Sequence, residues 1–144
     1  MISVKQLLAG KRRHSVFTLR PDNTVIEALE LMATANIGAV MITDNGRLAG
    51  IFSERDYARK GIIQGRKAKS TPLTEVMIHD VYTITPEMNI EDCMDLFTNK
   101  FIRHLPVLDN GELIGMISIG DVVSSIMQEQ KEHINFLEQY IAGT

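Results

Sequence analysis

The apolar residues of this chain fall into two rhythms, a short alternating or continuous run and a longer helical spacing, and the whole pattern occurs twice. Val16-Phe17-Thr18-Leu19 and Val81-Tyr82-Thr83-Ile84 are β-branched and aromatic runs stopped by Pro21 and Pro86, and each predicts a strand. Thr24 with Glu27 three residues on makes a capping box, after which Val25, Ala28, Leu29 and Met32 share one helical face. Ile90, Cys93, Met94 and Phe97 repeat that spacing. Two further strands follow, Ala39–Ile42 and Leu48–Phe52, joined through Asp44-Asn45-Gly46-Arg47, where Asn-Gly supplies the positive φ of a tight hairpin. Their counterparts are Leu105–Leu108 and Leu113–Ile117 around Asn110-Gly111. These strands are apolar almost throughout, so both sheet faces should be covered by the helices of the repeat. The order is β-α-β-β-α, twice, which makes an α/β chain of the α+β type.

Set against itself at an offset of 65, the sequence aligns residues 16–61 on 81–126 without a gap, with twelve of 46 positions identical. The matches include Thr18/Thr83, Pro21/Pro86, Gly50/Gly115, Ser53/Ser118 and Asp56/Asp121, and stacking of like units explains the apolar matches but not the polar ones. Repeat one is expected over 1–65, with a leading helix at Val4–Ala9. A connector follows over 66–80, with a short helix at Leu73–Met77. Repeat two runs over 81–144 and ends in an extended helix. Halves of this size are too small to be stable apart, so a shared core is expected. Ile134, Leu137 and Ile141 form an apolar seam on the last helix past a polar stretch from Gln128 to His133, and this overhang is expected to pack on a partner chain in preference to the N-terminal segment.

Composition narrows the function. A formal charge of −3 argues against a general nucleic-acid binder, whose phosphate contacts need surplus Lys and Arg, and the only dense basic cluster is Lys11-Arg12-Arg13. One cysteine makes no intramolecular disulfide, the N-terminus lacks a signal-peptide run, and no stretch approaches the roughly 20 apolar residues of a membrane span, so a reducing, cytoplasmic setting without a membrane partner is expected. Cys93 stands where repeat one has Ala28 and reads as a buried core thiol. His14, His79 and His133 show no metal-ligand spacing, and no metal requirement is expected.

The chemistry-bearing string is Gly50-Ile-Phe-Ser53-Glu-Arg-Asp56 and its copy Gly115-Met-Ile-Ser118-Ile-Gly-Asp121. Taken once, Ser-x-x-Asp is an ordinary helix cap. Duplicated beside basic residues, it has a second use: amides and a hydroxyl at a helix start suit a phosphate, and an Asp there can accept from both hydroxyls of a ribose. Repeat one adds Arg55, Arg59 and Lys60. Repeat two has Ile119 and Gly120 in place of Glu54 and Arg55, and its nearest cationic candidates are Arg103 and His104, which read equally well as solvated residues at a strand end.

These residues resemble the tandem cystathionine-β-synthase (CBS) domain family, also called Bateman modules, over nearly everything from Val16 to about Ile126. The marks are the Val-x-Thr-x-x-Pro opening strands, Ile102-Arg103-His104-Leu105-Pro106-Val107, Asp-Asn-Gly, and the two Gly-x-x-Ser-x-x-Asp strings, and Ser53–Lys60 with Gly65-Arg66 is similar to stand-alone pairs. The resemblance implies two repeats related by a pseudo-twofold axis with clefts for adenosine-containing ligands such as AMP, ADP, ATP, NAD(H) or S-adenosylmethionine. It implies Asp56 and Asp121 on ribose, Ser53 and Ser118 on phosphate, backbone near Thr18 and Thr83 on adenine, and Arg55, Arg103 and His104 against phosphate charge. A homodimer through CBS pairs and a regulated protein of unknown identity are also implied. A small nucleotide-transforming enzyme and a nucleic-acid-binding module using Lys11–Arg13 and Arg66–Lys69 stay open as alternatives; the first lacks a recognisable base, nucleophile or metal set in the sequence.

Overall fold

The computed structural model describes residues 2–11 and 16–143, so Arg12, Arg13 and His14 lie outside the described residues. Ser3 and Gln6 close a capping box on α1 (Val4–Gly10). Repeat one then runs β1 (Thr18–Leu19), α2 (Val25–Ala35), β2 (Ala39–Asp44), β3 (Arg47–Ser53) and α3 (Glu54–Asp56), which widens into a π turn over Tyr57–Ile62. The connector carries one 3-10 turn, Leu73–Glu75. Repeat two consists of α4 (Ile90–Lys100), β4 (His104–Asp109), β5 (Glu112–Ser118) and α5 (Ile119–Ala142). This is the β-α-β-β-α series twice over, the leading strand of repeat two being reduced to a bridge at Ile84.

Local chemistry sets the boundaries. The Thr24–Glu27 box is present, with the Glu27 carboxylate accepting from the Thr24 amide at 3.0 Å and Thr24 Oγ1 accepting from the Glu27 amide at 3.4 Å. Helix α2 stops at Asn36 in the left-handed region (φ 55°), and α4 stops at the equivalent Phe101 (φ 54°). Asparagine tolerates that conformation; a phenylalanine there carries about 1–2 kcal/mol of steric cost. Both hairpins turn as expected, through Asn45 and Gly46 (φ 51° and 79°) and through Asn110 and Gly111 (φ 50° and 82°).

The two sheets differ at their leading strands. β1 pairs parallel to β2, with Thr18 opposite Met41 and Leu19 opposite Ile42. In repeat two the strand expected over Val81–Ile84 is reduced to a single parallel bridge between Ile84 and Val107. The reason is Pro106. Its counterpart Met41 donates its amide to the Phe17 carbonyl at 3.4 Å, and a proline has no amide to give to Tyr82.

Each repeat has its own apolar core, and each core is completed by a segment from elsewhere in the chain. Val25, Ala28, Met32, Val40, Ile42 and Phe52 pack with Leu73, Val76 and Met77 of the connector. Ile84, Ile90, Cys93, Phe97, Leu105, Val107, Ile117 and Val122 pack with Val4 and Leu7 of α1. Full burial of a side chain such as Phe52 contributes about 1.5–3 kcal/mol. Two equivalent glycines admit these segments: a Cβ on Gly50 would stand 2.8 Å from the Ile78 carbonyl, and one on Gly115 would stand 3.0 Å from the Leu8 side chain. The backbone is tied as well, Val4 N to Met88 O at 2.7 Å and Ile51 to Ile78 in both directions at 3.1 and 2.9 Å.

Cys93 is fully buried like Ala28, and burial, helped by Asp92, pushes its thiol up to about 11. From Gln130 to Ala142, α5 is exposed on every side, and no described part of the N-terminal segment covers its seam.

Candidate functional site

Both duplicated serine–aspartate pairs close the helix that follows them. Ser53 Oγ accepts from the Asp56 amide at 3.2 Å, while Asp56 Oδ2 accepts from the Ser53 amide and hydroxyl at 3.0 and 2.9 Å. Ser118 Oγ likewise accepts from the Asp121 amide at 3.1 Å, and Asp121 Oδ2 accepts from the Ser118 amide at 2.8 Å. Capping uses only one oxygen of each carboxylate, so the arrangement leaves acceptor capacity on the other.

Beside each carboxylate lies a cleft between the repeats. The Asp56 cleft, of about 650 Å³, takes Ser53, Arg55, Asp56, Arg59 and Lys60 from repeat one, and faces Tyr82, Lys100, Arg103 and His104 from repeat two. The Asp121 cleft, of about 390 Å³, takes Ser118 and Asp121 from repeat two, Phe17, Gly38 and Met41 from repeat one, and Leu8 and Lys11 from the N-terminal segment. The construction is reciprocal: each pairs the acid of one repeat with the aromatic residue, Phe17 or Tyr82, that precedes the opening threonine of the other.

The clefts differ in charge. Asp56 is nearly buried, with Oδ1 4.0 Å from the Lys60 ammonium, and Arg55, Arg59, Lys100 and Arg103 share its walls. Lys100 also stands 5.5 Å above the Tyr82 ring, within cation–π range. In the other cleft Lys11 Nζ donates to Asp121 Oδ2 and to the Met116 carbonyl, both at 2.9 Å, so the carboxylate there already holds an ammonium from its own chain.

His104 lines both clefts. Burial holds its imidazole below the ordinary 6.5; the Asp121 and Asp56 carboxylates pull the other way, and Arg103 and Lys11 add to the lowering. Arg103, weighed from sequence as a charge for the second site, lines the Asp56 cleft instead. Thr18 and Thr83 are exposed and line neither; their neighbours Phe17 and Tyr82 do. Phe17 and Tyr82 align with each other across the repeats, the one signal in the sequence that marks them. Lys11, from sequence part of the basic cluster that carries the nucleic-acid alternative, is held on Asp121. Among the described residues no group of three or more His, Cys, Asp or Glu is arranged to hold a metal ion, and no helix is long and apolar enough to cross a membrane.

A family model described as CBS domain matches residues 4–62 and again 73–128. The chain belongs to the CBS-domain family. Its two repeats make one tandem CBS pair, a Bateman-type module. It is 42% identical over 127 residues to the mitochondrial CBS domain-containing protein CBSX3 of Arabidopsis thaliana, covering 85% of this chain and 62% of that longer protein. The structure of a putative signal-transduction protein with CBS domains from Burkholderia ambifaria superposes with a TM-score of 0.86 at 42% identity, over 90% of this chain and 96% of the other. The CBS pair of protein MJ0100, solved with 5′-methylthioadenosine and S-adenosyl-L-methionine, shares the fold with a TM-score of 0.79 at 21% identity, over 90% and 98% of the two chains.

Proposed function

We propose that this CBS pair is a ligand-responsive regulatory module that binds an adenosine nucleotide between its repeats and acts by binding, without catalysis. The observation that carries the reading is the Asp56 cleft, whose acid, cations and aromatic ring converge from both repeats on a space of about 650 Å³, within the range of small-ligand sites. In this reading Asp56 accepts from the ribose hydroxyls while keeping its cap. Ser53 and the amides of the helix start meet the phosphate, Arg55 and Arg103 neutralise it, and the adenine lies toward Tyr82, near Thr83. The Asp121 cleft, with Ser118 and with Phe17 near Thr18, is the second and weaker seat, because Lys11 already occupies part of its carboxylate. The MJ0100 pair, sharing the fold, supports an adenosine-type ligand. Of AMP, ADP, ATP, NAD(H) and S-adenosylmethionine, the phosphorylated members fit the basic wall of the Asp56 cleft best.

Because a ligand there touches both repeats, its differential affinity for their two arrangements sets the response. We read the module as a cytoplasmic homodimer associating through its CBS pairs, with repeats over 1–65 and 81–144. The lone buried thiol and the exposed Ile62 and Ile63 support that setting. Calorimetric titration with AMP, ATP, NADH and S-adenosylmethionine against the wild type, Asp56→Ala and Asp121→Ala tests the assignment. Asp56→Ala should remove the tighter site and Asp121→Ala the weaker one. Turnover of any of these ligands on incubation, or binding indifferent to both substitutions, would overturn it.

A further inference from the structure

The two clefts are closed by corresponding segments of the chain. Leu73 donates its amide to the Asn23 carbonyl at 2.8 Å, as Val4 does to Met88 at 2.7 Å, and Thr74 reaches Pro21 at 3.1 Å, as Lys5 reaches Pro86 at 2.9 Å. Met77 lies against Gly50 as Leu8 lies against Gly115. Counted on from these contacts, Lys11 corresponds to Asp80, and the two residues line opposite clefts. The walls that the repeats supply differ in the other sense. At the offset of 65, each basic residue of the Asp56 cleft has an uncharged counterpart: Gly120 for Arg55, Ser124 for Arg59, Ser125 for Lys60, Ala35 for Lys100 and Gly38 for Arg103. Among the described residues, the Asp121 cleft therefore takes its one ammonium from Lys11, and that group is bound to Asp121 Oδ2 and to the Met116 carbonyl. The capping bond from the Ser118 amide falls on the same carboxylate oxygen. Oδ1 keeps its acceptor capacity, inside a wall made largely apolar by Leu8, Phe17, Ile37, Met41 and Met116. A phosphate drawn in there would give up water without meeting an unpaired cation among the described residues, whereas a sugar diol needs only an acceptor.

We propose that the Asp121 cleft takes an uncharged nucleoside, adenosine or a 5′-substituted adenosine without phosphate, while the Asp56 cleft takes the phosphorylated ligand. The inference rests on the adenosine reading of both clefts and adds a division between them by charge. Lys11 cancels the Asp121 charge without bonding Oδ1, so the cleft is matched to a ligand that brings hydrogen-bond donors and no net charge. The pair then responds to two ligands, one anionic and one neutral, each touching both repeats.

The test is calorimetric titration of the full chain with adenosine and with AMP, which differ only in the phosphate. Adenosine binding should be lost in Asp121→Ala and kept in Asp56→Ala, and AMP binding should show the reverse. Asp121→Asn, which keeps the shape of the side chain, takes the place of Asp121→Ala if circular dichroism shows the alanine variant to be unfolded. Gly120→Arg copies Arg55 into the second cleft at an exposed position, where a Cβ meets nothing closer than Ser118 Oγ at 3.6 Å. In an Asp56→Ala background it should raise AMP affinity roughly 10- to 100-fold and leave adenosine affinity within about threefold. An adenosine isotherm that survives loss of Asp121, AMP bound through Asp121 as tightly as adenosine, or no gain in AMP affinity from Gly120→Arg would overturn the division by charge. Failure of the adenosine reading itself looks different: neither ligand would respond to either aspartate, and both conclusions would fall.

Discussion

Replacing Asp56 by alanine separates the two tasks assigned to one carboxylate. The substitution removes the acceptor for the Ser53 amide and hydroxyl, at 3.0 and 2.9 Å. Ser53 keeps its own cap bond to the residue-56 amide, so only the carboxylate half of the box is lost, at about 1 kcal/mol, and each kcal/mol lowers Tm by about 2–4 °C at this chain length. The same substitution removes the acceptor for two ribose hydroxyls. Hydrogen bonds to a charged group contribute about 1.5–3 kcal/mol each, so AMP affinity should fall by roughly 10² to 10⁴-fold. Thr24→Ala is the control, because it breaks a like capping box on α2 whose residues line neither cleft. Both variants should melt a few degrees below wild type in calorimetric scans, and only Asp56→Ala should lose the tight AMP isotherm. If Asp56→Ala bound AMP within about threefold of wild type while melting as low as Thr24→Ala, the carboxylate would be a cap and nothing more, and the reasoning would fail.

Other consequences are open to measurement. Phe101→Asn places in α4 the residue that ends α2, and relief of left-handed strain should raise stability by about 0.5–1 kcal/mol in urea titrations; no gain would mean that the ring makes compensating contacts. His104 resists protonation in the folded chain, so the unfolded chain binds the extra proton first. Stability should therefore be level above the ordinary histidine value of 6.5 and fall as pH drops below it, toward the lowered folded value. His104→Gln should remove that part of the slope in denaturation series from pH 7.5 to pH 5, and an unchanged slope would assign it elsewhere. Cys93, fully buried with its thiol at about 11, is roughly one part in a thousand thiolate at pH 8. A disulfide reagent should thus modify it only at the rate of unfolding, and rapid labelling of the native protein would contradict its burial.

The sequence was most legible where local chemistry decides the outcome. The Thr24–Glu27 box, the Asn-Gly hairpins and the small buried residue at 28 and 93 each depend on a few neighbouring residues, and self-alignment doubled every such signal. The shortened second leading strand was also readable, since Pro106 stands where Met41 donates an amide, but judging Val81–Ile84 by its own composition hid a defect located in its partner. Pairings across long separations left no local trace. Nothing in Val4–Gly10 tells which repeat it covers, and nothing around Lys11 points to Asp121, 110 residues on. The place of Arg103 on the Asp56 cleft is illegible for the same reason: charge density is a property of sequence, whereas the wall a residue lines depends on how the repeats face each other.

The seating of α1 on the second core imposes an order of events during biosynthesis. Val4 and Leu7 pack with residues as far along as Ile117 and Val122, and the backbone amides of Val4 and Lys5 reach the carbonyls of Met88 and Pro86. Val4 and Leu7 therefore leave the ribosome long before the residues they pack on, with their apolar side chains waiting while the rest of the chain is made. A pause in translation before residue 122 would leave Val4 and Leu7 without their partners and free to associate with other nascent chains.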